Sequence, residues 1–176
     1  NVYRVRKALY EDVVVQDEGR YKLNPQASFW FDLEEFQRMI ARADKLTMGS
    51  RERAECLEEA VGLYRGSFLE DCYSGWTDTI RFQAEASYLK CLARLAGFYA
   101  THGEHDRATK LLEELLAVDE ANPEAHEQMI RILVVKGETG AAYHHYNQYQ
   151  AILAEQMEKA PVKSFQQMCQ ELDVGS

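Results

Sequence analysis

The chain has 176 residues, of which 46% are hydrophobic and 28% are charged, and its net charge is −9. This composition supports a sizeable folded core and excludes an intrinsically disordered protein. No apolar run approaches the roughly 18 residues that a membrane-spanning helix needs. The polar start of the chain also lacks the apolar stretch of a secretory signal. We therefore expect a cytoplasmic protein without a membrane partner.

The negative charge is distributed unevenly. Residues 1–25 hold five basic and four acidic side chains, whereas the rest of the chain holds fifteen basic and twenty-five acidic ones. The first ten residues contain three basic side chains and no acidic one. Because a strongly acidic surface repels nucleic acid, any nucleic-acid contact is expected in this first segment.

The first predicted elements are a helix and a β-hairpin. The apolar residues Val2, Val5 and Leu9 fall on one helical stripe. Three bases lie off this stripe: Arg4, Arg6 and Lys7. Two β-prone runs on either side of Asp17-Glu18-Gly19 then predict a hairpin, which ends at Pro25. No capping residue other than Asn1 itself precedes the stripe, so the chain is expected to begin inside a helix.

From residue 32 onwards the pattern is helical. Apolar spacings of three and four predict helices over about residues 32–46, 50–65, 76–102, 104–118, 123–136, 138–157 and 162–172. Asp32 and Glu35 are predicted to form a capping box, and Ser50 and Asn122 are predicted N-caps. Trp76 is predicted to start the buried stripe of the longest helix.

Two of the helical hairpins repeat with a spacing of 34 residues. Gly103 recurs as Gly137, and Ala108 recurs as Ala142. The same spacing relates four larger pairs: Leu95 and Met129, Tyr99 and Leu133, Leu112 and Tyr146, and Leu115 and Tyr149. A period of 34 is that of tetratricopeptide repeats, whose hairpins bury their apolar faces by stacking and offer a surface to a partner. The sequence thus predicts an all-α, tetratricopeptide-like stack.

The inner wall of a tetratricopeptide groove is lined by the first helix of each hairpin. This places four residues in a candidate partner-binding groove: Lys90, Ala93, Glu127 and Arg131. Their mixed charges suit a polar peptide or a neighbouring domain.

Motifs for catalysis, metal binding and cofactor binding are missing from the sequence. The four cysteines share no CxxC spacing, and the five histidines form no zinc-type cluster. Phosphate-binding glycine loops and a GxSxG nucleophile elbow are also absent. We expect reduced thiols, no metal, no cofactor and no enzymatic activity.

Two parts of the sequence resemble known domains. NVYRVRKAL followed by VVVQDEGRYKL resembles the end of the recognition helix and the wing of OmpR-like winged helix-turn-helix domains. FDLEEF, AVGLYRGSFLED with the later Trp76, and AHEQMIRILVVKGETGAAYHHYNQY resemble the bacterial transcriptional activator domain of SARP-like regulators. The resemblance covers about Asn1 to Leu172. It divides the chain into the C-terminal part of a winged helix, residues 1–25, and the activator domain, residues 26–176.

The resemblance implies a DNA-binding transcription regulator whose repeats contact a protein partner or the winged helix of the same chain. Candidate contacts to promoter DNA are Tyr3, Arg4, Arg6, Lys7, Arg20 and Lys22. Tyr21 is expected to anchor the wing. Asp17 stands where the family wing often carries arginine, so the hairpin tip is expected to repel phosphate.

The sequence leaves the function and the oligomeric state open. A peptide- or protein-binding repeat module without a DNA role is the alternative function. The sequence also leaves both a monomer and a homodimer open.

Overall fold

A computed structural model describes Arg4, residues 13–156 and residues 163–173. These ranges contain seven α-helices and one two-stranded antiparallel sheet. Six of the helices pair into three hairpins that pack in sequence, and the seventh covers the last hairpin. The fold is all-α with tetratricopeptide-like hairpins, as the sequence predicts. No helix of the described ranges is long and apolar enough to cross a membrane.

The predicted β-hairpin is confirmed. Strand β1 is Val14–Asp17 and strand β2 is Arg20–Leu23. The two-residue turn between them consists of Glu18, with φ of 47°, and Gly19, with φ of 77°. Positive φ at both central positions is the mark of a type I′ turn, whose twist matches that of the strands it joins. Local turn chemistry therefore fixes the register of this hairpin.

The first helical hairpin consists of α1, Asp32–Lys45, and α2, Arg51–Leu63. Ser50 caps α2 as predicted, because its Oγ accepts a hydrogen bond of 3.3 Å from the backbone N–H of Arg53. This bond satisfies one of the free N–H groups at the helix start.

The predicted capping box at the start of α1 is wrong. Phe31 occupies the N-cap position, and no side chain caps the helix there. Asp32 lies within the first turn, where its carboxylate favours the positive end of the helix dipole. Glu35 does not reach back to the cap, because its carboxylate is bonded to the guanidinium of Arg38 one turn later.

Five further helices follow: α3 (Gly75–Thr101), α4 (His105–Val118), α5 (Pro123–Val135), α6 (Thr139–Glu155) and α7 (Phe165–Asp173). The turns within the second and third hairpins contain Gly103, with φ of 76°, and Gly137, with φ of 79°. These left-handed conformations explain why glycine recurs there. Asn122 caps α5 as predicted, since its Oδ1 accepts a bond of 3.0 Å from the N–H of Ala125.

The 34-residue repeat corresponds to equivalent core positions. Ala108 and Ala142 are both fully buried at the crossing of their hairpins. Of the larger repeated residues, Leu133 is half-buried. The others are buried: Leu95, Tyr99, Leu112, Leu115, Met129, Tyr146 and Tyr149. Small residues let the paired helices approach closely, and the large ones fill the space between hairpins. The repeat predicted from the sequence is confirmed.

The α1–α2 pair is a further hairpin of the stack, which the 34-residue spacing does not reveal. Helices α2, α4 and α6 begin at residues 51, 105 and 139, so the first interval is 54 residues and the second is 34. The irregular segment 64–74 and the extended start of α3 account for the longer interval. A search for a fixed period cannot detect a repeat that contains such an insertion.

Trp76 does not lie on the buried stripe as predicted, because 60% of its surface is exposed. Helix α3 has 27 residues, whereas its neighbours α2 and α4 have 13 and 14. The first turns of α3 therefore extend past the helices that bury its later turns. The buried part of the predicted stripe begins at Ala84.

Arg81 and the buried Thr77, both of α3, bond backbone carbonyls of the segment 64–74. Arg81 of α3 donates hydrogen bonds to three backbone carbonyls of this segment: Phe68 at 2.8 Å, Cys72 at 2.6 Å, and Leu69. Leu69 itself has φ of 48°, an unfavourable conformation for a residue with a side chain. Arg81 thus stabilises a backbone path that the segment alone does not favour.

We predict that Arg81→Met lowers the free energy of unfolding by about 2 kcal/mol, because charge-assisted bonds to half-buried carbonyls are lost together. Urea unfolding monitored by far-UV circular dichroism measures this effect. Arg51→Met is the matched control, since Arg51 is exposed and bonds only Glu55 one turn away. An equal change in the two variants would contradict the role given to Arg81.

Candidate functional site

The predicted DNA-contacting residues fall into two groups. Tyr3, Arg6 and Lys7 lie outside the described residues. Arg4 is helical and exposed. Arg20 and Lys22 lie on β2, and both are exposed. The structure therefore places three of the six candidates, all of them accessible to a ligand.

Part of the positive charge of the β-hairpin is paired with an acidic side chain of the same hairpin. Lys22 Nζ lies 2.5 Å from Asp17 Oδ2, and both side chains are at least half exposed. Asp17 also stands opposite Arg20 in the strand register. The carboxylate predicted to repel phosphate is thus next to both bases of the hairpin. An exposed ion pair of this kind is weak, so a phosphate group can compete for Lys22.

Tyr21 does not pack as an anchor within the described part of the chain, where 56% of its surface is exposed. The neighbouring Leu23 is 50% exposed. The apolar side of the hairpin is therefore open in the residues that the structure describes.

The structure brings α3 and α5 together along the predicted groove. Gln128 of α5 donates a hydrogen bond of 3.4 Å from Nε2 to the backbone carbonyl of Ala93 on α3. Ala93 is buried, whereas Lys90, one turn earlier, is exposed. The two helices therefore form adjacent walls of one surface, as the tetratricopeptide pattern predicts.

The other two groove residues, Glu127 and Arg131, contact the chain's own C-terminal helix. Arg131 lies 2.7 Å from Glu127 and 2.5 Å from Glu171 of α7. Lys163 lies 2.9 Å from Glu127 and 3.0 Å from Glu171. These four residues form a closed network of two bases and two acids.

The network keeps the carboxylate of Glu127 ionised. Burial opposes ionisation of Glu127, but hydrogen bonds from Lys163 and Arg131 outweigh it and keep the pKa of this carboxyl below its ordinary value. Hydrogen bonds to Glu127 and Glu171 raise the pKa of Lys163. The network therefore stays ionised at neutral pH and attaches α7 to α5 by charge.

Packing supports the same contact. Met168 of α7 is buried with Ile130 of α5 and Tyr146 of α6. Helix α7, which the sequence predicts over about residues 162–172, thus closes the end of the stack. Lys163 and Glu171 were not predicted from the sequence, because they are 36 and 40 residues from their α5 partners and only the fold brings them together.

His126, which is buried, and His145, which is half-buried, form a pair between α5 and α6 that was not predicted from the sequence. His126 Nδ1 lies 2.9 Å from His145 Nε2, and His126 Nε2 lies 2.8 Å from the backbone carbonyl of Glu120. The ring of His126 also stacks on that of Tyr149. Burial is the main cause that lowers the pKa of both histidines, to about 4 for His145. Both rings are therefore neutral at pH 7.

This pair has no further metal ligand near it. Within the described residues, no group of three histidine, cysteine or acidic side chains could hold a metal ion. All four cysteine thiols are free, as predicted. Burial raises the pKa of Cys91 to about 11, so this thiol is protonated and unreactive at neutral pH.

Comparison with known protein families agrees with this architecture. Residues 31–172 match the model of the bacterial transcriptional activator domain. The match spans all three helical hairpins and nearly all of α7, and it leaves the β-hairpin outside. No curated protein matches the chain. The matched family is regulatory and is associated with transcriptional activators. The chain belongs to the bacterial transcriptional activator domain family.

Proposed function

We propose that this chain is part of a DNA-binding transcription regulator, in which the basic N-terminal segment contacts promoter DNA and the helical hairpins make regulatory protein contacts. The observation that carries the proposal is the family match over residues 31–172. The position of a basic segment directly before that match supports it. In this proposal the role is regulatory and not enzymatic, and the protein acts in the cytoplasm.

The DNA-binding part of the proposal rests on residues 1–25 as the C-terminal part of a winged helix. Arg4 and Arg20 are exposed, and Lys22 is held only by an exposed ion pair with Asp17. Contacts from these bases, with Arg6 and Lys7, would neutralise phosphates and release counterions. The acidic remainder of the chain would keep other surfaces away from DNA.

The test is promoter affinity as a function of salt, measured with the chain extended by its upstream winged-helix segment. We expect the combined change of Arg4, Arg6 and Lys7 to alanine to weaken binding at least tenfold. We also expect the slope of log affinity against log salt to fall by about 2 to 3, since each phosphate contact contributes roughly 0.9.

A matched control removes the same charge from the helical part. Arg42, Lys45 and Lys110 are all exposed and lie on α1 and α4. Their combined change to alanine is expected to leave the salt slope within error. Equal effects of the two triple variants would show a general charge effect, and no effect of either would favour a repeat module without a DNA role.

The regulatory part of the proposal assigns partner contacts to the groove between α3 and α5. Of the predicted groove residues, Lys90 is the cation that lies outside the network with α7, and it is exposed. We expect Lys90→Glu to lower transcription from a reporter several-fold while promoter affinity stays unchanged. Lys110→Glu, on the exposed side of α4, is the control. Unchanged reporter output with Lys90→Glu would count against this surface.

A further inference from the structure

Large apolar side chains are exposed near the first turns of α1 and α3. Tyr73 is 94% exposed and Trp30 is 69% exposed. Single exposed apolar side chains are common on soluble proteins, whereas a group of them in one region marks an interaction site. Tryptophan and tyrosine are also the residues that contribute most at protein interfaces. We call five of these side chains the aromatic surface: Trp30, Phe31, Leu69, Tyr73 and Trp76.

The two parts of the aromatic surface meet around one open depression. This depression has a volume of about 280 Å³, and its lining includes Asp32 at the start of α1 together with Leu69 and Glu70. Phe31 directly precedes Asp32, and Trp30 directly precedes Phe31. The two parts are therefore neighbours in space although they are far apart in the sequence.

The backbone that carries Tyr73 and Trp76 is fixed by α3. Arg81 donates hydrogen bonds to the carbonyls of Leu69 and Cys72. The hydroxyl of the buried Thr77 lies 3.1 Å from the same carbonyl of Cys72. A partner that binds here would not have to order this part of the chain, and such preorganisation favours affinity.

Acidic side chains surround the aromatic surface. Residues 69–78 contain three acids and no base. Asp78 is paired with Arg81 at 3.0 Å, and the exposed Arg65 lines the depression. Within the described ranges, three exposed carboxylates beside the surface form no ion pair: Asp32, Glu70 and Asp71. Three unpaired acids thus stand against one unpaired base.

The combination of aromatic rings and carboxylates determines which partner chemistry fits. The carboxylates would repel the phosphates of nucleic acid and of anionic lipids. An acidic protein surface is disfavoured for the same reason. Guanidinium and ammonium groups are attracted both to carboxylates and to the faces of tryptophan and tyrosine rings. A basic protein segment with some aliphatic side chains is therefore complementary to this surface.

We propose that the aromatic surface binds a basic segment of a partner protein, which carries arginine together with aliphatic side chains. The arginines stack on Tyr73 and Trp76 and pair with Glu70 and Asp71, while the aliphatic side chains cover Leu69. This contact is additional to the groove between α3 and α5. It does not depend on DNA binding, since every contact comes from the described part of the first two helical hairpins and the segment between them.

The two tryptophans of the chain, Trp30 and Trp76, both belong to the aromatic surface, so their fluorescence reports on it directly. The probe is the acetylated and amidated peptide Arg-Leu-Arg-Leu-Arg-Leu-Arg, which has no aromatic residue. We expect a saturable change in emission and an affinity that falls as salt rises. Citrulline is a neutral isostere of arginine, and its use at all four arginines should weaken binding by roughly tenfold or more, since each exposed cation contact contributes a few-fold.

One pair of variants tests the aromatic contact. Tyr73→Ser should weaken binding of the arginine peptide by about three- to tenfold, because a cation loses the ring face on which it stacks. Tyr143→Ser is the matched control, since Tyr143 is an exposed tyrosine on α6 in the third hairpin. It should leave the affinity unchanged.

A second pair of variants tests the charge. Glu70→Gln combined with Asp71→Asn removes two carboxylates beside the rings and should weaken binding by about three- to tenfold. Glu52→Gln combined with Glu113→Gln removes the same charge from exposed positions of α2 and α4. This control should change the affinity by less than about twofold, since distant exposed charges are screened.

Three results with the peptides would overturn the proposal: no saturable change in emission, equal affinities of the arginine and citrulline peptides, or equal effects of each variant pair and its control. Circular dichroism of each variant separates a lost contact from a lost fold. If a variant does not fold, the comparison of the two peptides on the wild-type protein still decides the matter.

Two further results would overturn it by identifying another occupant. A wild-type dimer in sedimentation experiments that dissociates in Trp76→Ser would make the surface an interface between two copies of this chain. A gain in peptide affinity when Arg4, Arg6 and Lys7 are changed to alanine would show that the chain's own basic segment occupies the surface. A monomer in the first experiment and an unchanged affinity in the second support a separate partner.

Discussion

Acidification from about pH 7.5 to about pH 5 should lower the free energy of unfolding by about 2 kcal/mol through the pair of His126 and His145. The carbonyl of Glu120 can only accept, so His126 Nε2 carries a proton. In neutral His126 the Nδ1 atom is then an acceptor, and His145 Nε2 donates to it. The pair therefore joins α5 and α6 in one defined tautomeric arrangement.

Acid destabilises the folded protein because folding lowers the pKa of His126 and of His145. The unfolded pKa of histidine is about 6.5, whereas burial, followed by His126 and His144, lowers the folded pKa of His145 to about 4. The pKa of His126 is lowered by burial, and its bond to Glu120 and the nearby Asp119 oppose this. Below pH 6.5 the unfolded chain binds more protons than the folded one. The stabilisation is complete above pH 6.5 and is lost as the pH falls towards 4.

Urea unfolding across this pH range measures the effect. His145→Gln keeps an N–H donor towards His126 but cannot be protonated, so its stability should depend much less on pH. His144→Gln is the control, because His144 is adjacent in sequence but exposed. The proposed coupling fails if wild-type protein and His145→Gln lose stability in parallel between pH 7 and pH 5.

Leu112→Ala should lower the free energy of unfolding by about 3 kcal/mol, within the range of leucine truncations in cores. Leu112 is completely buried in α4 and belongs to the main core cluster of the first two hairpins. Truncation removes apolar contact and leaves a cavity that rigid helices on both sides cannot fill.

The matched control is Phe82→Ala, which removes a larger side chain from an exposed position of α3. Its expected effect is within about 0.5 kcal/mol, as for most surface substitutions. Chemical denaturation measures the free energy of unfolding of both variants. An unchanged m-value shows that the difference between them is one of stability. A loss of less than about 1 kcal/mol for Leu112→Ala would mean that this repeat position does not carry the packing assigned to it.

The helices could be located from local patterns alone. Apolar spacing gives the faces of α4 and α5, and the glycines at 103 and 137 give their ends, because left-handed turns select glycine. Ser50 and Asn122 were recognised as caps, since their side chains act on a backbone N–H three residues later. Such interactions depend on a few neighbouring residues, which the sequence displays directly.

The predictions failed where residues distant in the sequence determine whether a side chain is buried or paired. Trp76 continues the apolar stripe of α3, but no neighbouring helix of the described chain is long enough to cover it. The groove residues Glu127 and Arg131 were predicted from repeat spacing alone. Only the fold shows that Lys163 and Glu171 pair with them.

Local sequence patterns specify the seven helices, the two hairpins that repeat every 34 residues, the β-hairpin and the position of the basic segment. These follow from periodicity, turn chemistry and charge, which act over a few residues. Three features emerge from contacts between helices: α7 is attached to α5 by ion pairs, His126 and His145 share a hydrogen bond, and Gln128 Oε1 is buried without a partner. These features require residues from different helices to meet at distances of about 3 Å, and a linear pattern does not specify such distances.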